Sequence, residues 1–398
     1  MAAKRRAQAS GARSIRDIPD LENAGSIGRE AKDFLTTHEI IQMAQRRLTP
    51  QVWNYLSGAS ESETTMRRNR MALDSLALRQ RVCVDVSRID TSASLLGQKL
   101  AIPVFMAPMG LLELFDAGGA VATAKAAVGR GIVSMVSTPC LPQLEDAARA
   151  VDRPLLFQLY VRSGRDWIEK TLKRAKAAGC CGIAVTLDRA VLSRRERDLI
   201  HRWTARRVGD PAALNLRVDR TVDDPTHQAS ITWKDLAWMK KVTGLPLIAK
   251  GIMSGEDADL AVKHGVDVVY VTNHGGRQLD HGQGTIEVLQ EVVGAVKGRA
   301  EVVVDGGFVR GSDVIKAIAL GADAVGIGRA QGWALAAGGE AALTRYLQIL
   351  ETEIVSTLGL MGVQRLADLG PDSLRKAAPT IPPSALSQFP HLEPVYRF

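Results

Sequence analysis

The chain has 398 residues, enough for one large domain with extensions or for two of ordinary size. Apolar residues make up 46% and charged residues 24%, the balance of an ordinary α/β enzyme with a large core; no apolar run reaches the roughly 18 residues of a membrane span. The formal net charge is +8, but no aromatics interleave with the basic residues, which argues against a dedicated nucleic-acid surface.

Residues 1–30 read as a mobile basic arm. Lys4, Arg5, Arg6, Arg13 and Arg16 precede the first acid, Asp17, in a polar stretch without apolar periodicity. No apolar leader core is visible, so a cytoplasmic protein is expected; an acid-poor, Arg-containing start also permits an organelle transit peptide. Two helices follow, THEIIQMAQRRL (37–48), capped by Thr36 or Thr37, and PQVWNYLSGAS (50–60), opened by Pro50.

From about residue 100 the rhythm changes. Short apolar runs at 102–108, 131–137, 154–160, 182–188, 245–251, 266–273, 301–307 and 323–329 alternate with helical stretches, several ending in Gly. Continuous rather than alternating apolar runs indicate a parallel sheet covered by helices. Eight such units predict a closed sheet, a TIM (β/α)8 barrel with an N-terminal helical extension. An open doubly wound sheet is the alternative, but no G-x-G-x-x-G follows a first strand. Residues 189–231 form one overlong connection, expected to be a lid. The cysteines Cys83, Cys140, Cys180 and Cys181 form no C-x-x-C pair and suggest reduced thiols and no metal site.

A parallel barrel places its active site at the C-terminal strand ends. Those ends carry Pro108-Met109-Gly110, Ser137-Thr138, Gln158 and Tyr160, Thr186 and Asp188, Lys250, His274, Asp305-Gly306-Gly307, and Gly328-Arg329. The last two are glycine turns at helix starts, suited to a phosphate, with Arg329 adding charge. Among seven histidines, His274 is the base candidate, because it ends a strand beside glycines and Arg277. Asp188 can stabilise its imidazolium, or serve as a cap. Arg195 and Arg277 can each meet a carboxylate, although the run RRERD (194–198) also reads as a solvated face. Lys250, closing LPLIAK, needs an anionic or electron-rich partner.

These residues carry a family resemblance. VTNHGGRQLD (271–280), supported by FQLYV (157–161), TLDRAVLSRRERD (186–198), ITWKDLAWMK (231–240), LIAKGI (247–252), VVDGGFVRGSDV (303–314) and GIGR (326–329), resembles the FMN-dependent 2-hydroxy-acid oxidases and dehydrogenases, the glycolate oxidase and L-lactate dehydrogenase family. Other FMN barrels share the phosphate turns but not NHGGRQLD. The resemblance runs from about residue 37 to about 370. It implies FMN as cofactor, a small 2-hydroxy acid as substrate, O2 or a quinone or carrier protein as electron acceptor, and a homotetramer. His274 corresponds to the family's base and Asp188 to its partner. Arg277 and Arg195 correspond to the carboxylate-holding arginines, Tyr160 to a substrate-contacting tyrosine and Lys250 to the lysine beside the flavin pyrimidine. Pro108, Met109, Gly110, Thr138, Gln158, Thr186 and Thr272 fall where the family contacts the flavin; Asp305, Gly306, Gly307, Phe308, Val309, Gly328 and Arg329 fall where it grips the phosphate.

Three places depart from the family. Asn54-Tyr55 stands where two tyrosines are usual, so Asn54 is expected to reshape the substrate clamp. Val309 replaces an arginine of the phosphate loop, and Arg310 is the candidate to supply its charge. Met109-Gly110 replaces Thr-Ala, and Gly110 is expected to leave room beside the flavin. The organisation expected is a mobile arm (1–30), an FMN-binding barrel domain (31–375) with its lid at 189–231, and a C-terminal tail (376–398). Two rival readings are a flavin-binding regulatory protein without turnover and a barrel acting on an alcohol that lacks a carboxylate.

Overall fold

A computed structural model describes residues 12–14, 33–203, 205 and 224–392. Eight parallel strands close into a barrel: β1 (Val104–Met106), β2 (Val133–Ser137), β3 (Leu156–Leu159), β4 (Gly182–Thr186), β5 (Leu247–Ile252), β6 (Val268–Val271), β7 (Glu301–Val304) and β8 (Ala324–Ile327). Neighbours in sequence are neighbours in space, and β8 pairs with β1 through Val325–Val104, Gly326–Phe105 and Ile327–Met106. Every residue of β2 and β4 is buried, as expected of strands covered by helices outside and packed inside. Large and small residues interlock in the barrel interior. Phe105 meets Tyr270 edge to face at 5.4 Å, and a Cβ on Gly326 would lie 2.6 Å from the Tyr270 hydroxyl.

The strands are slightly shorter than their apolar runs, because the residues beyond each C-terminal end leave the ladder to form the rim. The N-terminal extension holds α1 (Thr37–Arg47), α2 (Pro50–Ser57) and α3 (Thr64–Asp74). Thr36 and Glu39 form a capping box on α1, and the Thr49 side chain caps α2 ahead of Pro50. The outer helices are α4 (Gly119–Gly129), α5 (Leu144–Arg149), α6 (Arg165–Ala177), α7 (Glu196–Ile200), α8 (Thr226–Ala229), α9 (Trp233–Thr243), α10 (Gly255–Lys263), α11 (Thr285–Val296), α12 (Gly311–Ala319) and α13 (Arg329–Met361). The last breaks at Gly338–Gly339, whose dihedrals leave the helical region.

Of the expected arm at 1–30, only Ala12–Ser14 is described, paired antiparallel with Arg88–Asp90; the remainder lies outside the described residues. So do Thr204 and residues 206–223 of the expected lid. Past residue 376 the chain folds back and buries Phe389 against Trp333 and His38, with ring centroids 6.4 and 5.3 Å apart. Among the described residues, no helix is long and apolar enough to cross a membrane.

Candidate active site

A cavity of about 650 Å³ opens at the C-terminal ends of the strands. His274 enters it from the turn after β6. His274, Gly275 and Gly276 all take left-handed conformations, with φ of 58°, 64° and 79°. The Asn273 side chain accepts from the Gly276 N–H at 3.1 Å, and the His274 N–H reaches the Thr272 hydroxyl at 3.0 Å, which holds the turn. Glycine is required at 276, since a Cβ there would sit 2.6 Å from the Met66 nitrogen. A histidine at positive φ costs about 1–3 kcal/mol, strain of a kind that collects at functional sites.

The imidazole is held at both nitrogens. Nδ1 lies 3.0 Å from Asp188 Oδ2, and Nε2 lies 2.9 Å from Tyr160 Oη. An ionised carboxylate only accepts, so Nδ1 carries the proton and Nε2 offers its lone pair. Lys250 Nζ is 3.3 Å from Nδ1; with that nitrogen protonated, its influence is that of a nearby charge. Burial and then Lys250 push the His274 pKa below its ordinary 6.5, against the opposing pull of Asp188. The base is therefore neutral near pH 7. Burial alone would raise the Asp188 carboxyl, but His274 and Lys250 more than offset it and hold it below the usual range. Gly251, at φ 119°, lets β5 approach this carboxylate, because a Cβ there would lie 2.7 Å from the Asp188 nitrogen.

Beside the base sits a cluster of cations. The Arg277 guanidinium donates to the Tyr55 and Gly58 carbonyls at 2.6 and 2.9 Å and lies over the Tyr55 ring at 4.8 Å. Arg195 lies over the same ring at 5.9 Å. Burial, then Arg195, push Arg277 down to about 9. A guanidinium keeps its proton across the range in which proteins stay folded, so Arg277 remains a buried cation, and the nearby Asp198 carboxylate favours its charge. Asp198 also lines the cavity, and burial raises its carboxyl above the usual value despite these arginines.

The far end is built from glycine turns. Gly306 and Gly307 have φ of 108° and 88°, and a Cβ on Gly306 would strike the Thr285 hydroxyl at 2.6 Å. Arg329 donates to the Gly58 carbonyl at 2.8 Å, while its buried Nε has no hydrogen-bond partner among the described residues. Burial pushes Arg329 down to about 10. Asp305 accepts from Tyr270 through Oδ2 at 2.7 Å, and its buried Oδ1 has no partner among the described residues. An orphaned cationic donor, an orphaned acceptor and close-approach glycines fit a flavin mononucleotide: phosphate for Arg329 and the turns, a ribityl hydroxyl for Asp305.

Most of the residues singled out in the sequence meet here. Tyr55, Pro108, Met109, Gly110, Tyr160, Arg195, Lys250, His274, Arg277, Asp305, Gly306, Gly307, Phe308, Val309, Gly328 and Arg329 all line the cavity. Thr138, Gln158, Thr186 and Thr272 lie behind it. Gln158 joins the Ser137 and Thr186 hydroxyls at 2.5 and 2.7 Å, and Thr138 Oγ1 accepts from the Tyr160 N–H at 2.9 Å. Three expectations need correction. Asn54 does not face the cavity; its amide is turned to His201 at 2.8 Å. Arg310 does not serve the phosphate turn, because Glu353 holds it at 2.6 Å and it stacks over Phe389 at 4.7 Å. Gly110 leaves no open room, since its Cβ position is filled by Pro139 Cγ at 2.8 Å.

Sequence reasoning missed several lining residues. Asn69 and Arg70 of α3 are almost fully buried. Asn69 exchanges amide hydrogen bonds with Asn273 at 2.9 and 2.8 Å, and Arg70 donates to the Gly307 carbonyl and Asp313, both at 2.8 Å. In RRNRMALD they look like a solvated helix face. Phe115, Arg162, Arg189, Asp198, Leu199, Trp203 and Trp333 were missed as well. The Arg189 guanidinium over the Tyr160 ring at 4.6 Å had no signal in the sequence.

The family model described as FMN-dependent dehydrogenase matches residues 44–376. Glycolate oxidase 3 of Arabidopsis thaliana is 36% identical over 342 residues, covering 83% of this chain and 93% of that protein. L-lactate dehydrogenase of Pectobacterium atrosepticum is 38% identical over 363 residues, covering 83% and 94%. A soluble mutant of the membrane-associated (S)-mandelate dehydrogenase of Pseudomonas putida superposes with a TM-score of 0.81 at 34% identity, covering 86% of this chain and 100% of that one. The chain belongs to the FMN-dependent dehydrogenase family and is an enzyme that oxidises 2-hydroxy acids with FMN as its cofactor.

Proposed function

We propose that His274 is the base of this oxidation, Asp188 its charge partner, and Arg277 with Arg195 the seat of the substrate carboxylate. The observation that carries the reading is a neutral imidazole whose unprotonated Nε2, held by the Tyr160 hydroxyl, shares one cavity with the Arg277 and Arg195 guanidinium groups. The carboxylate docks on the guanidinium groups and fixes the substrate's orientation. His274 Nε2 accepts a proton from the hydroxy-acid centre, and Asp188 stabilises the imidazolium at Nδ1. Tyr160, 2.9 Å from Nε2, keeps the ring aimed and can share the substrate oxygen. When bound, FMN would supply the acceptor for the two electrons and the remaining hydrogen that leave the substrate. Asp305, Gly306, Gly307, Arg329 and Lys250 would hold it.

The substrate side chain meets an apolar wall. Tyr55, beneath both arginines, lies 6.5 Å from the Phe115 ring and 5.4 Å from the Trp203 ring, and Leu199 completes the face. This arrangement supports a 2-hydroxy acid with a bulky apolar substituent, and the solved relative named for mandelate agrees with it. The acceptor is O2 or another oxidant. A cytoplasmic homotetramer is the assembly we propose, supported by large apolar side chains left exposed at Leu279 and Leu360.

Anaerobic mixing of the FMN-loaded protein with glycolate, lactate, mandelate and 2-hydroxyoctanoate tests this. Bleaching of the flavin band, fastest with the last two, is expected. No bleaching by any of them would overturn the reading. Readmitting O2 then separates an oxidase, which recolours at once, from an enzyme that needs another acceptor.

A further inference from the structure

The role of Asn54 comes from what it touches. Its Nδ2 faces His201 Nε2 at 2.8 Å and its Oδ1 faces Arg197 Nη1 at 3.5 Å. A guanidinium only donates, so the amide oxygen must be the end turned to Arg197. The amide nitrogen then donates to His201. Glu63, at φ 61° ahead of α3, accepts from the Ala59 N–H through Oε1 at 2.9 Å and from Arg197 Nη2 through Oε2 at 2.6 Å. That ion pair is largely shielded, with the Glu63 side chain only 11% exposed. Two further links lie alongside: the Glu61 N–H donates to the Arg194 carbonyl at 2.8 Å, and the Ser193 side-chain hydroxyl to the Arg277 carbonyl at 2.6 Å.

Asn54, Glu63, Arg197 and His201 are absent from the cavity lining, yet α7, which two of them flank or carry, brings Arg195, Asp198 and Leu199 into it. Gly58 sits between the two halves. A Cβ there would lie 3.0 Å from Arg197 Cδ and 3.3 Å from Glu63 Oε1. Its carbonyl receives Arg277 at 2.9 Å and Arg329 at 2.8 Å.

We infer that Asn54 and Glu63 are positioning residues that latch α7 over the substrate through His201 and Arg197, and that the latch sets substrate affinity without touching substrate. The inference rests on the carboxylate seat proposed above. An N-terminal turn thereby fixes, from outside the barrel, where Arg195 meets the carboxylate. Loss of the latch leaves His274, Asp188 and the phosphate end in place, so it weakens binding and spares the chemical step.

The test compares FMN-loaded wild type with Glu63→Gln, Arg197→Met, the double variant and Arg197→Lys. Glu63→Gln keeps an oxygen for the Ala59 N–H, so the turn survives. Expected are a KM for the best 2-hydroxy acid raised about five- to tenfold, kcat within about twofold, and unchanged FMN affinity. The double variant is no worse than the weaker single one, and Arg197→Lys recovers part of the loss. Hydrogen exchange at residues 196–203, measured without substrate, quickens in the same variants. Unchanged KM with unchanged exchange, or a fall in kcat with no rise in KM, would overturn the inference. A wild type that no hydroxy acid bleaches would sink the functional reading instead, and the exchange measurement would still judge the latch.

Discussion

His274 combines a strained backbone with a depressed pKa, and both consequences can be measured. Replacing it with alanine is expected to slow flavin reduction by ~10²–10⁴-fold while FMN stays bound, as read by stopped-flow absorbance. The working form is the neutral imidazole, and its pKa lies below 6.5. Activity in the free enzyme therefore persists as pH falls through 6.5 and declines only below it. A kcat/KM profile whose acid limb lies at or above 6.5 would contradict this. The residue was legible because it ends a strand beside NHGGRQLD. Asn54, Arg310 and Gly110 were misread because sequence position says which turn a residue occupies and not where its side chain finds a partner. Asn54 found His201, Arg310 found Glu353, and the space beside Gly110 was already taken by Pro139.

The strand-end turns and α3 carry the cofactor end at the level of elements. Gly306→Ala puts a methyl against Thr285 at a φ that alanine disfavours, a change that should cost ~1–3 kcal/mol of stability and release FMN, as read by thermal melting and flavin fluorescence. Arg70 on α3 is bound to Asp313 on α12 at 2.7 Å, with both side chains almost fully buried. Burial would raise Asp313, but Arg70 prevails and keeps the carboxyl below its ordinary value of 3.8. This pair's contribution is thus present above pH 3.8 and lost as pH falls below it. Arg70→Met, which strands a buried carboxylate, should destabilise the protein by ~3–5 kcal/mol in a denaturant titration. The eight strands could be read from their continuous apolar runs, since burial on both faces leaves no other pattern. The function of α3 could not, because its buried Asn69 and Arg70 look like any solvated helix until α11 and α12 are folded against them.

For the molecule as a whole, light scattering on the holoenzyme should give four copies per particle if the proposed assembly is right, and a monomer would refute it. Closure of the barrel was implied by eight repeated units, whereas the return of the chain end had no sequence signature. That return has a further consequence. Ala385 lines the cavity, Gln388 reaches Asp74 at 2.8 Å, and Phe389 packs on Trp333, itself part of the cavity wall. A messenger with a stop codon just past residue 376 would encode every group assigned to catalysis, yet its product would emerge pale, shedding its pigment on the column. Truncations well past the last residue assigned to catalysis are therefore expected to disable this enzyme.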